Sequence, residues 1–163
     1  MRLAEVSELE AINDIYNYSV ANSTATYQTE PETMAARKAW FAAHDELHPV
    51  TVAVDGEAVL GWGSLSQFHP RKGYELTVED SVYVHHRFYR RGIGRAILTD
   101  LIRRASDLGH HTILASISGE QEASIRLHES LGFREAARMI EVGRKFDRWL
   151  DLVYLQLMLP DQG

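Results

Sequence analysis

The sequence predicts a mixed α/β or α+β fold. Segments with helical spacing alternate with β-branched, strand-like ones, and hairpin signals stand near both ends of the chain. The first helix follows Ser7-x-x-Glu10, a capping-box spacing, and carries Leu9, Ile12, Ile15, Tyr16 and Val20 on one face. "NSTATYQTEP" reads as loop. Thr29-x-x-Glu32, with Pro31 in the first turn, predicts a second helix reaching His44. "VTVAV" alternates as a strand, Asp55-Gly56 is a hairpin turn, and "EAVLGWGSLSQF" is the returning strand, with Gly61 and Gly63 as expected bulge positions.

"FHPRKGYE" then reads as an exposed loop, and "LTVEDSVYV" as a long strand rich in β-branched and aromatic residues. After the turn "HHRFYRRGIG", residues Ile93, Ile97, Leu98, Leu101, Ile102 and Ala105 form one apolar stripe of a helix that Gly109 stops. "HTILASIS" is a strand, "QEASIRLHESLG" a short helix ended by Gly132, and the chain closes in strand-like stretches around Met139 and "WLDLVYLQLML".

The 163 residues are 45% hydrophobic and 25% charged, the proportions of one globular domain. A net charge of −6 argues against nucleic acid or an anionic membrane as partner of the whole protein. There is no cysteine, so disulfide and thiolate chemistry are absent. No apolar run approaches the roughly 20 residues of a membrane span, and the N-terminal stretch lacks the apolar core of a signal peptide. A cytoplasmic domain is the expectation. His44 and His48 are four apart but outside any His-Glu-x-x-His pattern, so no metal site is expected.

"YRRGIGR" is the most informative stretch. A strand feeding a glycine turn and then a helix presents free amides and the positive end of the helix dipole, an arrangement suited to phosphate. Gly92 and Gly94 would let backbone approach a diphosphate closely, with Arg90, Arg91 and Arg95 adding charge. Taken alone, the pattern also fits a plain basic turn. It is neither a P-loop, since no Gly-Lys-Ser/Thr follows, nor a G-x-G-x-x-G turn, since Ile97 occupies the third glycine position.

"SVYVHHRFYRRGIGRAILTDLI" followed by "EASIRLHESLGF" resembles the GNAT superfamily of acyl-CoA-dependent N-acetyltransferases. "IYNYSVANSTATYQTEP", "TVEDSVYV" and "VGRKFDRWLDLVYLQ" are similar to its branch of phosphinothricin and methionine sulfoximine acetyltransferases. The resemblance covers nearly the whole chain. It implies a mostly antiparallel mixed sheet flanked by helices, one domain over residues 1–163, acetyl-CoA as co-substrate, a small amine such as an amino acid or analogue as acceptor, and a homodimer.

Carried over residue by residue, the resemblance implies that Tyr89, Arg90, Arg91, Gly92, Ile93 and Gly94, with Arg95 beside them, grip the cofactor's diphosphate. Val82, Tyr83 and Val84 would offer strand backbone to the pantetheine arm, and Gln121 and Ser124 would approach the cofactor from the next helix. Tyr89 stands where the family usually has Arg or Gln, and Gln121 where it has Asn. Glu79 would be the base that takes the amine's proton, and His128 the acid for the departing thiolate. Read as residues alone, Glu79 also fits a structural ion pair or solvated strand residue, and His128 a helix-surface or packed histidine. Phe68, Arg71, Lys72 and Tyr74, with Glu79, are the expected acceptor contacts, although Glu75 replaces an Arg common among relatives. A non-catalytic acyl-CoA-binding domain is the alternative function.

Overall fold

The computed structural model describes residues 1–160. Strands β1 (Arg2–Leu3), β2 (Val50–Asp55), β3 (Ala58–Gln67), β4 (Thr77–Val84), β5 (Thr112–Ser118), β6 (Arg134–Lys145) and β7 (Arg148–Met158) form one sheet in the order β1-β2-β3-β4-β5-β7-β6. All neighbours run antiparallel except β4 and β5, which are parallel. Helices α1 (Leu9–Asn22) and α2 (Met34–Ala42) cover one face, while α3 (Ile93–Asp107) and α4 (Glu122–Glu129) cover the other. The mixed, mostly antiparallel sheet flanked by helices agrees with the fold class read from the sequence. Among the described residues no helix is long and apolar enough to cross a membrane.

Two cores follow from strand alternation. On the α3/α4 face, Leu65, Val78, Ile113, Val153 and Leu155 bury against Ile97, Leu98 and Leu101. On the other, Val52 and Trp62 meet Leu9, Ile12 and Ile15 of α1. The buried Arg37 of α2 lies over the rings of Tyr16, Trp40 and Trp62, and its Nε donates to Asn13 Oδ1 at 3.1 Å.

Three local expectations are corrected. The capping interaction before α1 lies two residues earlier: Glu8 accepts from the Glu5 amide at 2.8 Å, and its other oxygen holds Arg2 at 2.6 Å. The second helix starts at Met34 and not near Thr29, because Asn17 and Asn13 bind both backbone groups of Glu32 and hold it out of a helix. Thr33 then caps the helix, accepting from Ala36 N at 3.1 Å. Gly61 and Gly63 pair regularly with β4; the register shift lies just before Gly61, between the Ala53 and Val54 rungs. Both glycines seat α3. A Cβ at Gly63 would stand 2.5 Å from Ile97 Cγ2 and 2.9 Å from Leu101 Cδ1.

Candidate active site

The parallel ladder is short. Strands β4 and β5 pair from Thr77↔Thr112 to Asp80↔Ala115, after which β4 continues to Val84 and β5 to Ser118 without pairing. Backbone alternation fixes what this split exposes. His85 donates to Leu60 of β3, and Leu76 accepts from His111 ahead of β5, so odd-numbered residues of β4 bond toward β3 and even-numbered ones toward β5. Beyond Asp80, the main-chain groups of Val82 and Val84 therefore face the gap.

At the far end of the gap stands the N-terminus of α3. Gly92 is its N-cap at φ +77°, Arg90 also has a positive φ of 61°, and no side chain caps the helix. The amides of Ile93, Gly94 and Arg95 meet no acceptor among the described residues. Free first-turn amides and the helix dipole give a local anion site within an acidic chain. The gap and this helix end are continuous in one cleft of about 920 Å³.

The cleft brings together most of the residues singled out above. Val82, Tyr83, Val84, Tyr89, Arg90, Gly92, Ile93, Gly94, Arg95, Gln121, Ser124, Glu79 and His128 all line it. Others are placed elsewhere. Arg91 is not in the lining; its guanidinium lies over the ring of Phe88, a lining residue, at 5.4 Å. Phe68, Arg71, Lys72 and Tyr74 contribute nothing to the lining, because their loop enters β4 at the end opposite the glycine turn. There, Phe68 and Tyr74 pack edge to face at 5.7 Å. Gln121 directs its amide to Thr24 Oγ1 at 2.9 Å, and Arg95 donates to Ser130 Oγ at 2.7 Å.

Two neighbouring carboxylates serve different faces. Glu79 lies opposite Ser66 on the α1/α2 side and is half-buried, with no ion pair among the described residues. Burial raises its pKa, and the charge of Asp80 adds to the rise. Asp80 is buried on the α3/α4 side, where Oδ2 meets His128 Nε2 at 2.9 Å. His128 Nδ1 reaches the Ser124 carbonyl at 2.7 Å, so both ring nitrogens are engaged. Burial alone would push the imidazole pKa down; the hydrogen bond and charge of Asp80, with the Ser124 carbonyl, turn the net shift upward.

The segment "NSTATYQTEP", read from the sequence as loop with Tyr27 as a candidate wall of the acceptor site, closes one side of the cleft. Residues 23–27 line it and are tied to β6 and β7. Lys145 Nζ donates to the carbonyls of Ser23 at 2.7 Å and Thr26 at 2.8 Å, and Tyr27 hydroxyl donates to the Asp151 carbonyl. Gly143 leaves room for the Tyr27 ring, which a Cβ there would meet at 2.5 Å. The signal in the sequence was Lys145 beside Gly143 in the tail motif. A smaller hollow near His44, Asp45, His48 and Arg103 holds charges already paired, His48 with Asp45 and Arg103 with Asp100.

A split parallel strand pair opening onto uncapped helix amides, with a half-buried carboxylate on the wall, defines a group-transfer site for an elongated, phosphate-bearing donor. Comparison with known proteins gives that class a family. The acetyltransferase (GNAT) family matches residues 12–133. The L-methionine sulfoximine/L-methionine sulfone acetyltransferase of Salmonella typhimurium is 40% identical over 164 aligned positions, covering 100% of this chain and 96% of its relative. An L-amino acid N-acyltransferase of Escherichia coli is 39% identical, over 99% of this chain and 95% of its own. Among solved structures, a phosphinothricin acetyltransferase of Sinorhizobium meliloti in complex with acetyl-CoA superposes with a TM-score of 0.94 at 36% identity, covering 99% of this chain and 88% of that one. The chain belongs to the GNAT acetyltransferase family, in the branch that holds the methionine sulfoximine and phosphinothricin enzymes.

Proposed function

We propose that this chain acts as one cytoplasmic catalytic domain that acetylates the primary amine of a small acceptor, an amino acid or amino-acid analogue, with acetyl-CoA as donor and direct attack in a ternary complex. The observation that carries this reading is the split of β4 from β5 beyond Asp80, which leads from the half-buried Glu79 to the free amides of α3.

Acetyl-CoA would supply the acyl group as a thioester. The residues present fit it: open amides at Ile93, Gly94 and Arg95 for a diphosphate, Arg90 and Arg95 for charge, and the unpaired edge at Val82 and Val84 for an amide-bearing arm. Tyr89, Gly92, Gln121 and Ser124 complete that wall. Glu79 takes a proton from the acceptor ammonium, and burial shifts its pKa upward, the direction that strengthens a carboxylate base. A main-chain N–H at Val82 or Val84 faces the place where carbonyl charge develops. As the new C–N bond forms, the C–S bond breaks and the electron pair leaves on sulfur, while the second proton of the attacking nitrogen passes to the thiolate or to solvent. Holding amine and thioester together is the largest contribution available to such a site.

Phe68, Arg71, Lys72 and Tyr74 stand outside the cleft of the single chain, so a role for them in acceptor binding requires their loop to close over Glu79. A homodimer is part of the proposal. The β6–β7 hairpin exposes Met139, Ile140, Val142, Phe146 and Trp149, with Trp149 61% exposed, an apolar surface suited to a second copy. The test is steady-state release of CoA thiol with L-methionine sulfoximine, phosphinothricin and a panel of L-amino acids. Acetylated product is identified by mass spectrometry, with Glu79→Gln as control. Thiol release without acetylated amine from any acceptor would sink the proposal.

A further inference from the structure

We infer that Asp80 and His128 are positioning residues: their buried pair ties α4 to β4 at the rung where β4 and β5 part, and His128 keeps its protons through the reaction instead of passing one to the departing thiolate. This inference rests on the reading of the split as the acyl-CoA cleft.

Hydrogen-bond accounting fixes the protons. A carbonyl can only accept, so His128 Nδ1, 2.7 Å from the Ser124 oxygen, carries a hydrogen. A second hydrogen lies between Nε2 and Asp80 Oδ2, 2.9 Å apart, held by the two side chains in common. Both ring nitrogens are spent on protein partners. The two side chains are 4% and 1% exposed, so the pair lies within the cleft wall with almost no surface open to solvent.

The balance of charge makes the proton hard to give up. Asp80 Oδ1 has no partner among the described residues, and no Lys or Arg pairs with this carboxylate. Among the described residues His128 is the ion-pair partner of this carboxylate. The groups facing the imidazole are Asp80 from β4, the Ser124 carbonyl from α4 itself and the apolar ring of Phe133, edge-on at 5.0 Å. Glu79 belongs to the opposite face. Proton transfer from Nε2 to sulfur would leave a buried carboxylate facing a nitrogen lone pair, with neither group solvated. A thiol with an ordinary pKa near ~8.5 leaves as thiolate close to neutrality without that proton.

Position explains what the pair does instead. Asp80↔Ala115 is the last rung of the parallel ladder, so the contact clamps α4 at the apex of the split. Gln121 and Ser124, both on the cleft wall, are the N-cap and third residue of the clamped helix.

The experiment compares the unaltered protein with Asp80→Asn, Asp80→Ala and His128→Ala by acetyl-CoA titration calorimetry and by kcat and KM across pH. A positioning role predicts that the two alanine variants weaken acetyl-CoA binding by roughly tenfold or more, with KM rising further than kcat falls. Asp80→Asn, which preserves shape and one hydrogen bond, recovers part of the binding, and the alkaline limb of kcat keeps its place. An alkaline limb that follows the His128 titration seen by NMR, and moves to lower pH in Asp80→Asn, would overturn the inference. That readout needs only the unaltered protein and the conservative variant, so it holds even where an alanine variant does not fold. Failure of the unaltered protein to bind acetyl-CoA would overturn the functional reading and this inference with it, before any variant is compared.

Discussion

Glu79 and Asp80 are adjacent on β4 and stand on opposite faces of the sheet. Glu79 lies opposite Ser66 on the α1/α2 side, and Asp80 is bound to His128 on the α3/α4 side. One carboxylate is thus half-buried and unpaired, the other buried and paired. That division is what the proposed roles rest on, a base at Glu79 and a positioning pair at Asp80.

Glu79 carries a stability cost that its replacement should remove. Its pKa in the fold lies above the unfolded value of about 4.3, so stability is lost as pH rises from there through the folded pKa, and the loss persists at neutral pH. Glu79→Gln is expected to melt at higher temperature than the parent near neutrality, with the advantage vanishing below about pH 4. The same variant should lower kcat/KM by about 10²–10⁴. Calorimetric melting across pH and initial rates check the two halves separately.

Gly94→Ala separates folding from cofactor binding. A Cβ there would meet Leu127 Cδ2 at 3.4 Å and Val84 Cγ2 at 3.6 Å, ordinary contacts that leave the fold intact. Its outward approach is to the cleft, so KM for acetyl-CoA should rise about tenfold or more, the loss of one hydrogen bond to a charged group. An unchanged KM with an unchanged melting temperature would show that no diphosphate sits against this turn.

Gly63→Ala should do the reverse. The added carbon would press within 2.9 Å of the Ser81 carbonyl as well as on Ile97 and Leu101, and backbone on that side cannot retreat without disturbing the β3–β4 ladder. A destabilisation of about 1–3 kcal/mol is expected, readable as a lower urea midpoint at unchanged m-value.

Lys145→Met tests the loop at residues 23–27. Burial lowers the pKa of the Lys145 ammonium, which is committed to two carbonyls. Removing it leaves those carbonyls without their donor, at a cost of about 1–3 kcal/mol. KM for the acceptor amine is expected to rise more than KM for acetyl-CoA. Equal effects on both would show that this loop does not wall the acceptor end.

The elements were largely legible in the sequence because periodicity reports a residue's own burial. The apolar stripe from Ile93 to Ala105 and the run from Thr77 to Val84 appear where their patterns place them. Helix boundaries set by distant side chains were not legible: Asn13 and Asn17 of α1 delay the second helix to Met34. The split of β4 from β5 is a matter of register between segments more than 30 positions apart, which no local pattern records. In the sequence Asp80 is no more than the residue after Glu79 in "TVEDSVYV". Its pairing with His128, 48 positions on, emerges only when α4 is laid over the sheet. Gly61 and Gly63 were recognised as special, but the cause is the approach of α3 and not a bulge.

The decisive measurement is a structure of the protein soaked with acetyl-CoA. Density for the diphosphate against the amides of Ile93, Gly94 and Arg95, with the thioester between β4 and β5 within reach of a base on Glu79, is the predicted result. A bound molecule lying outside the split, or first-turn amides of α3 that remain clear of phosphate at saturating ligand, would contradict it.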